Sequence, residues 1–117
     1  LRGGELDGKR IFDRRTIRRA TVETSWLEVD LTLVAPVRYG MGFVLGGEHV
    51  SLYGPGTPRA FGHLGFTNVI IWADPERDIS VALMTSGKPF AAPRLWRVYD
   101  VVRQISTRCP RRRGEGV

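Results

Sequence analysis

Phe61-Gly62-His63-Leu64-Gly65-Phe66 sets an imidazole between two glycines, just ahead of the apolar run Val69-Ile70-Ile71-Trp72. Histidine can donate a hydrogen bond to an anionic oxygen or carry a proton in acid–base catalysis. Small neighbours let backbone and ligand approach such a ring closely. By residue type the same pattern fits an edge-strand histidine making one structural hydrogen bond, and both readings stand at this point. The other histidine, His49, follows Glu48 in a stretch that reads as a hairpin strand and is expected to be exposed. Neither histidine has a second one four residues on, and no carboxylate cluster has ligand spacing, so no metal is expected.

A nucleophile is harder to find. Ser25, Ser51, Ser80, Ser86 and Ser106 sit in no Gly-x-Ser-x-Gly frame and none opens Ser-x-x-Lys. Tyr39, Tyr53 and Tyr99 open no Tyr-x-Asn triplet. Cys109 lies in a basic segment without a positioned base and reads as incidental. The glycines around Gly40 and Gly42 lack the strand-then-helix frame and the Lys-Ser/Thr of a phosphate loop. Asp74, Glu76 and Asp78 crowd a turn, where turn formation and solubility account for them. No cofactor is expected.

The elements that must position His63 follow from local patterns. Gly3-Gly4 suits a helix stop and Asp7-Gly8 is a turn dipeptide. Asp13 is placed to cap a helix over 14–23 whose thin apolar stripe is Ile17 with Ala20 or Thr21. Trp26, Leu27, Val29, Leu31, Leu33 and Val34 partly alternate with polar residues, giving a short strand or an extended connection that Pro36 ends. Residues 39–45 and 48–53 flank Gly46-Gly47, which predicts a two-residue hairpin turn there. Strands are expected over 60–65, 68–73 and 79–85. In the last, Ile79, Val81 and Leu83 share one face and Ser80, Ala82 and Met84 the other, which predicts cover on both faces. A terminal helix over 92–106 carries Leu95, Tyr99, Val102 and Ile105 at helical spacing, with Trp96 and Val98 widening that face. The fold class is therefore α+β, an antiparallel sheet with flanking helices.

Composition sets the bounds. The 117 residues make one domain, with 42% hydrophobic and 26% charged residues. One cysteine excludes an internal disulfide, and no apolar run is long enough to span a membrane. No apolar leader is visible at Leu1, so localisation is left open, with a cytoplasmic compartment favoured over secretion. A chain starting with Leu rather than Met is what a truncated or processed product would show. The net charge of +6 is uneven: residues 1–20 and 91–117 hold 14 of the 18 basic residues. That pattern fits solvated helix faces and a basic, disordered tail over 108–117. The alternative is a small basic module for nucleic acid or an acidic partner, which would normally gather its charge on one face; nucleic acid is not the expected partner.

Taken in order, Gly3-Gly4-Glu5-Leu6-Asp7-Gly8-Lys9-Arg10-Ile11, Tyr39-Gly40-Met41-Gly42-Phe43, Phe61-Gly62-His63-Leu64-Gly65 and Trp72-Ala73-Asp74-Pro75-Glu76-Arg77, with Ile79–Thr85, resemble the C-terminal part of the serine β-lactamase-like family. That family includes class C β-lactamases, penicillin-binding proteins and related esterases. The resemblance implies that residues 1–107 are the C-terminal part of such a hydrolase domain, a partial β-lactamase/transpeptidase-like α/β sandwich. It implies a three-part active site: a Ser-x-x-Lys nucleophile, a Tyr-x-Asn-like motif and a Lys-Thr-Gly-like motif on an edge strand. His63 then stands at the lysine position, Leu64 at the threonine and Gly65 at the glycine, so Leu64 and Gly65 would flank the substrate. The backbone amide of Phe66 would be one oxyanion donor. Leucine in place of threonine removes a hydroxyl for a substrate carboxylate, which points away from β-lactams. The implied substrate of the complete protein is a small ester or amide, and the chain by itself is expected to be inactive.

Overall fold

A computed structural model of the chain describes residues 2–25, 28–30, 35–65, 69–87 and 92–112. It begins with a single 3-10 turn, Arg2–Gly4, and a small hairpin of β1 (Glu5–Leu6) and β2 (Lys9–Arg10). Asp7 and Gly8 make its two-residue turn, both at positive φ (48° and 75°), as an Asp-Gly hairpin requires. Asp13 caps α1 (Arg14–Thr21), its carboxylate accepting from the Arg15 amide at 2.7 Å. Ile17, Ala20 and Thr21 form the half-buried stripe of α1, and its arginines are exposed.

The six strands that follow pair antiparallel in chain order: β3 (Glu28–Asp30), β4 (Ala35–Tyr39), β5 (Val44–Leu45), β6 (Phe61–Gly65), β7 (Val69–Asp74) and β8 (Ile79–Met84). The last element is α2 (Ala92–Arg108). Trp26, Leu27, Leu31, Leu33 and Val34, expected to alternate along one strand, lie outside the described residues. Pro36 does not end a strand; it stands inside β4 opposite Val29 of the three-residue edge strand β3. A proline cannot donate to a ladder, and the margin of a sheet is where that is tolerated.

The hairpin predicted at Gly46-Gly47 is not formed there. The chain reverses at residues 40–43, where Gly42 has φ 82° and the Gly40 amide donates to Phe43 O at 2.9 Å. Residues 46–60 form a loop that folds back on β5 and β6. Gly46 serves close approach rather than a turn, because a Cβ there would lie 1.9 Å from Thr57 O.

One sheet face makes the core. The register aligns Gly62, Trp72 and Val81 in one row and Leu64, Ile70 and Leu83 in the next. Against this face α2 packs Val98, Val102 and Ile105, with Val102 fully buried. Burying such a side chain is worth about 1.5–3 kcal/mol. Leu95 and Trp96 do not join the buried stripe: they are 43% and 69% exposed, and the Trp96 ring meets Tyr99 edge-on. The loop contributes Tyr53, fully buried and stacked on Trp72 at 5.7 Å, its hydroxyl donating to Val44 O at 2.9 Å. Burial drives the phenol's pKa upward, so it stays a donor. Tyr53→Phe should cost about 1–2 kcal/mol, since Val44 O loses its partner in an apolar setting. Urea unfolding followed by Trp fluorescence reads that loss; an unchanged midpoint would contradict the role given to the hydroxyl.

The opposite face departs from expectation. Ser80, Ala82 and Met84 are exposed, as is Ile71, so among the described residues this face of β7 and β8 has little cover. The alternation of β8 records one buried face and one small-residue face, not two covered ones.

Asp74 also differs from the sequence reading, in which turn formation and solubility explained it. It is fully buried, and Arg77, 9% exposed, donates to its carboxylate at 2.6 Å. The same guanidinium reaches Gly56 O at 2.8 Å, Ser106 O at 3.0 Å and Cys109 O at 2.9 Å. It thus caps the carbonyl end of α2 while holding the loop and the β7–β8 turn. Past α2, in the segment expected to be a tail, the Arg111 guanidinium meets Glu48 at 2.8 Å and Arg112 meets Asp78 at 3.0 Å. Residues 113–117 lie outside the described residues.

Candidate functional site

Strand β6 is paired unevenly, and that places His63. On one side all five residues pair with β7, Phe61 opposite Ala73 through Gly65 opposite Val69. On the other side β5 reaches only Phe61 and Gly62. From His63 onward the second edge of β6 has no strand partner among the described residues. An extended ligand laid there would run along an edge that no strand occupies, the setting used in strand-addition binding.

His63 is exposed and projects from the face opposite α2, in register with Ile71 and Ala82. Its Nδ1 lies 2.9 Å from Leu64 O. A carbonyl only accepts, so Nδ1 carries the proton and Nε2 is left toward solvent. In that tautomer Nε2 can take a proton; as imidazolium it can donate to an anionic oxygen. The residues sharing this face of β6–β8 are Phe61, Gly65, Val69, Ile71, Ala73, Ser80, Ala82 and Met84, so His63 is its only ionisable side chain.

The other candidates fall as follows. Leu64 is half-buried and packs on the core from the α2 side, so it presents backbone rather than side chain to the His63 face. Gly65 is exposed at the end of β6; a Cβ there would have Val69 at 3.4 Å as its nearest neighbour. Phe66 lies outside the described residues. His63, Leu64 and Gly65 are thus contiguous on one strand with alternating sides. His49 is exposed in the loop, away from β6.

The two residues before His63 also have packing roles that residue type alone did not assign. Gly62 lets β6 lie close against β7, because a Cβ there would sit 2.0 Å from Ile71 O. A glycine inside an apolar strand is the signal for such an approach. Phe61, 8% exposed, meets Phe43 edge-on at 5.3 Å and anchors the start of β6.

Among the described residues no group of three or more His, Cys, Asp or Glu is placed to hold a metal ion. No helix among them is long and apolar enough to cross a membrane. Much of the basic charge is paired: Arg10, Arg38, Arg77, Arg103, Arg111 and Arg112 all have carboxylate partners.

Comparison with known proteins bears on the family and the fold. A family model described as Beta-lactamase matches residues 4–103. The curated protein Esterase/beta-lactamase LipL of Mycobacterium tuberculosis (strain ATCC 25618 / H37Rv) is 32% identical over 82 residues, covering 70% of this chain and 18% of its own. A solved penicillin-binding protein homolog from Caulobacter crescentus is similar, with a TM-score of 0.64 and 35% identity over 83% of this chain and 26% of that one. A solved family VIII carboxylesterase gives a TM-score of 0.60 and 29% identity over 92% of this chain and 28% of that one. The chain spans less than a third of the length of each of these relatives.

Proposed function

The chain belongs to the beta-lactamase family, and on that premise we propose that residues 1–107 form one wall of an acyl-transfer cleft in an esterase-type serine hydrolase. The observation that carries this reading is the exposed His63 on the half-open part of β6, where an extended substrate has room to lie. His63 holds or moves a proton at Nε2 beside the reacting acyl group. Leu64 and Gly65 border the substrate with backbone, and the Phe66 amide donates to the developing oxyanion. Such a donor is worth about 3 kcal/mol in transition-state stabilisation. The apolar surroundings of His63, with Ile71 and Ala82 in register beside it, favour small esters over substrates that carry a carboxylate.

No serine of this sequence opens Ser-x-x-Lys, so the nucleophile of the working site is supplied from outside these residues. The 117-residue chain alone should therefore show no turnover of p-nitrophenyl butyrate or a chromogenic cephalosporin. It should also take no label from a fluorophosphonate. A stoichiometric label on Ser25, Ser51, Ser80, Ser86 or Ser106 would defeat the proposal. In a complete family chain containing this stretch, His63→Ala should lower kcat for the ester about a hundredfold. An unchanged kcat would return His63 to a purely structural role.

A further inference from the structure

A cavity of about 660 Å³ lies where α1 meets the open face of the sheet, on the side of β6–β8 that carries His63 but without His63 in its lining. That volume is in the range of small-molecule sites. Its floor is apolar, made by Leu45, Ala60, Phe61 and Ala73.

Most polar groups in the lining are already engaged. Arg38 donates to Glu23 at 2.8 Å and to Gly46 O at 2.7 Å, and the Thr21 hydroxyl donates to Ile17 O at 2.9 Å. Asp74 is held by Arg77 at 2.6 Å and Asp78 by Arg112 at 3.0 Å. Two groups remain. The Arg59 guanidinium and the Ser80 hydroxyl line the cavity, and neither has a hydrogen-bond or ion-pair partner among the described residues.

We propose that this cavity binds a small monocarboxylate with a compact apolar body, its carboxylate in the Arg59 fork and against the Ser80 hydroxyl, its body over Phe61. A guanidinium presents parallel N–H donors that match the two oxygens of a carboxylate. One free cation balances one charge, while a phosphate dianion would need further donors that this lining has already committed. The apolar floor takes an aryl or short alkyl group, which inorganic anions lack. Arg59 is exposed, so the pair is partly screened by water and the affinity is modest, with a Kd of about 1 mM. The site stands on the cavity alone and does not depend on the acyl-transfer reading of His63.

The test is amide chemical-shift titration of the full 117-residue chain with benzoate, with benzamide and inorganic phosphate as comparison ligands. Saturable shifts are expected around residues 59–61, 73 and 80 with benzoate, and binding at least tenfold weaker with benzamide and phosphate. Arg59→Gln should weaken benzoate at least tenfold and Ser80→Ala about threefold, while Arg59→Lys keeps part of the affinity. Both side chains are exposed, so the variants should fold as the parent does. Equal binding of benzamide, equal binding of phosphate, or benzoate affinity unchanged in Arg59→Gln would each overturn the proposal. So would a benzoate titration that shows no saturation at about 20 mM, well above the expected Kd.

Discussion

Arg77→Met is expected to destabilise the fold by about 3–5 kcal/mol, because it leaves the Asp74 carboxylate buried without its cation. Asp74 is fully enclosed, and its remaining partner is the Glu76 amide at 3.0 Å. The substitution also strips Ser106 O and Cys109 O of a donor at the end of α2. Thermal unfolding should fall by more than about 10 °C in a domain of this size. The exposed pair Arg103–Asp100, at 2.9 Å, gives the contrast: Arg103→Met should change stability by less than about 1 kcal/mol. A double change, Asp74→Leu with Arg77→Met, should recover part of the loss, since it removes the unpaired charge. If Arg77→Met alone costs no more than Arg103→Met, the clasp is not holding the three segments together.

The same residues show what could be read from the chain and what could not. The Asp7-Gly8 turn, the Asp13 cap, the division of β8 into two faces and the Val98, Val102 and Ile105 part of the α2 stripe were legible, because each is decided within a few neighbouring residues; cover on both faces of β8 and the burial of Leu95 and Trp96 were not. Asp74 was misjudged for the opposite reason. Its partner is only three positions away, yet the burial that gives the pair its weight comes from loop residue Gly56 and from α2, up to about 30 positions on. Gly46-Gly47 failed as a hairpin signal because glycine serves two needs, positive φ and close approach, and sequence does not distinguish them. At the candidate site His63 stood out by residue type and neighbours. That Leu64 turns its side chain to the core follows from strand alternation once the α2 face is known, and that face is a tertiary fact. An edge strand at His63 was expected, but that β6 is open only from His63 onward was not legible, since it depends on β5 stopping after two residues.

Gly62→Ala should destabilise the fold by about 3 kcal/mol. A Cβ at this position would lie 2.0 Å from Ile71 O and 2.6 Å from the Trp72 Cα, and both are backbone atoms. A side chain in that place could rotate away; the β7 backbone is fixed on its far side by six register pairs with β8. The strain must therefore lift β6 off β7, which also moves His63, the next residue. Gly65→Ala on the same strand meets nothing closer than 3.4 Å and should leave stability within about 1 kcal/mol. Urea midpoints and Trp72 fluorescence of the two variants separate the cases. Similar midpoints for both would mean that the β6–β7 spacing can relax and that Gly62 is not what sets it. In a complete family chain the pair also divides fold from site. Gly62→Ala should lose activity in step with its folded fraction. Gly65→Ala should stay folded, and any drop in kcat/KM would then come from the substrate edge itself.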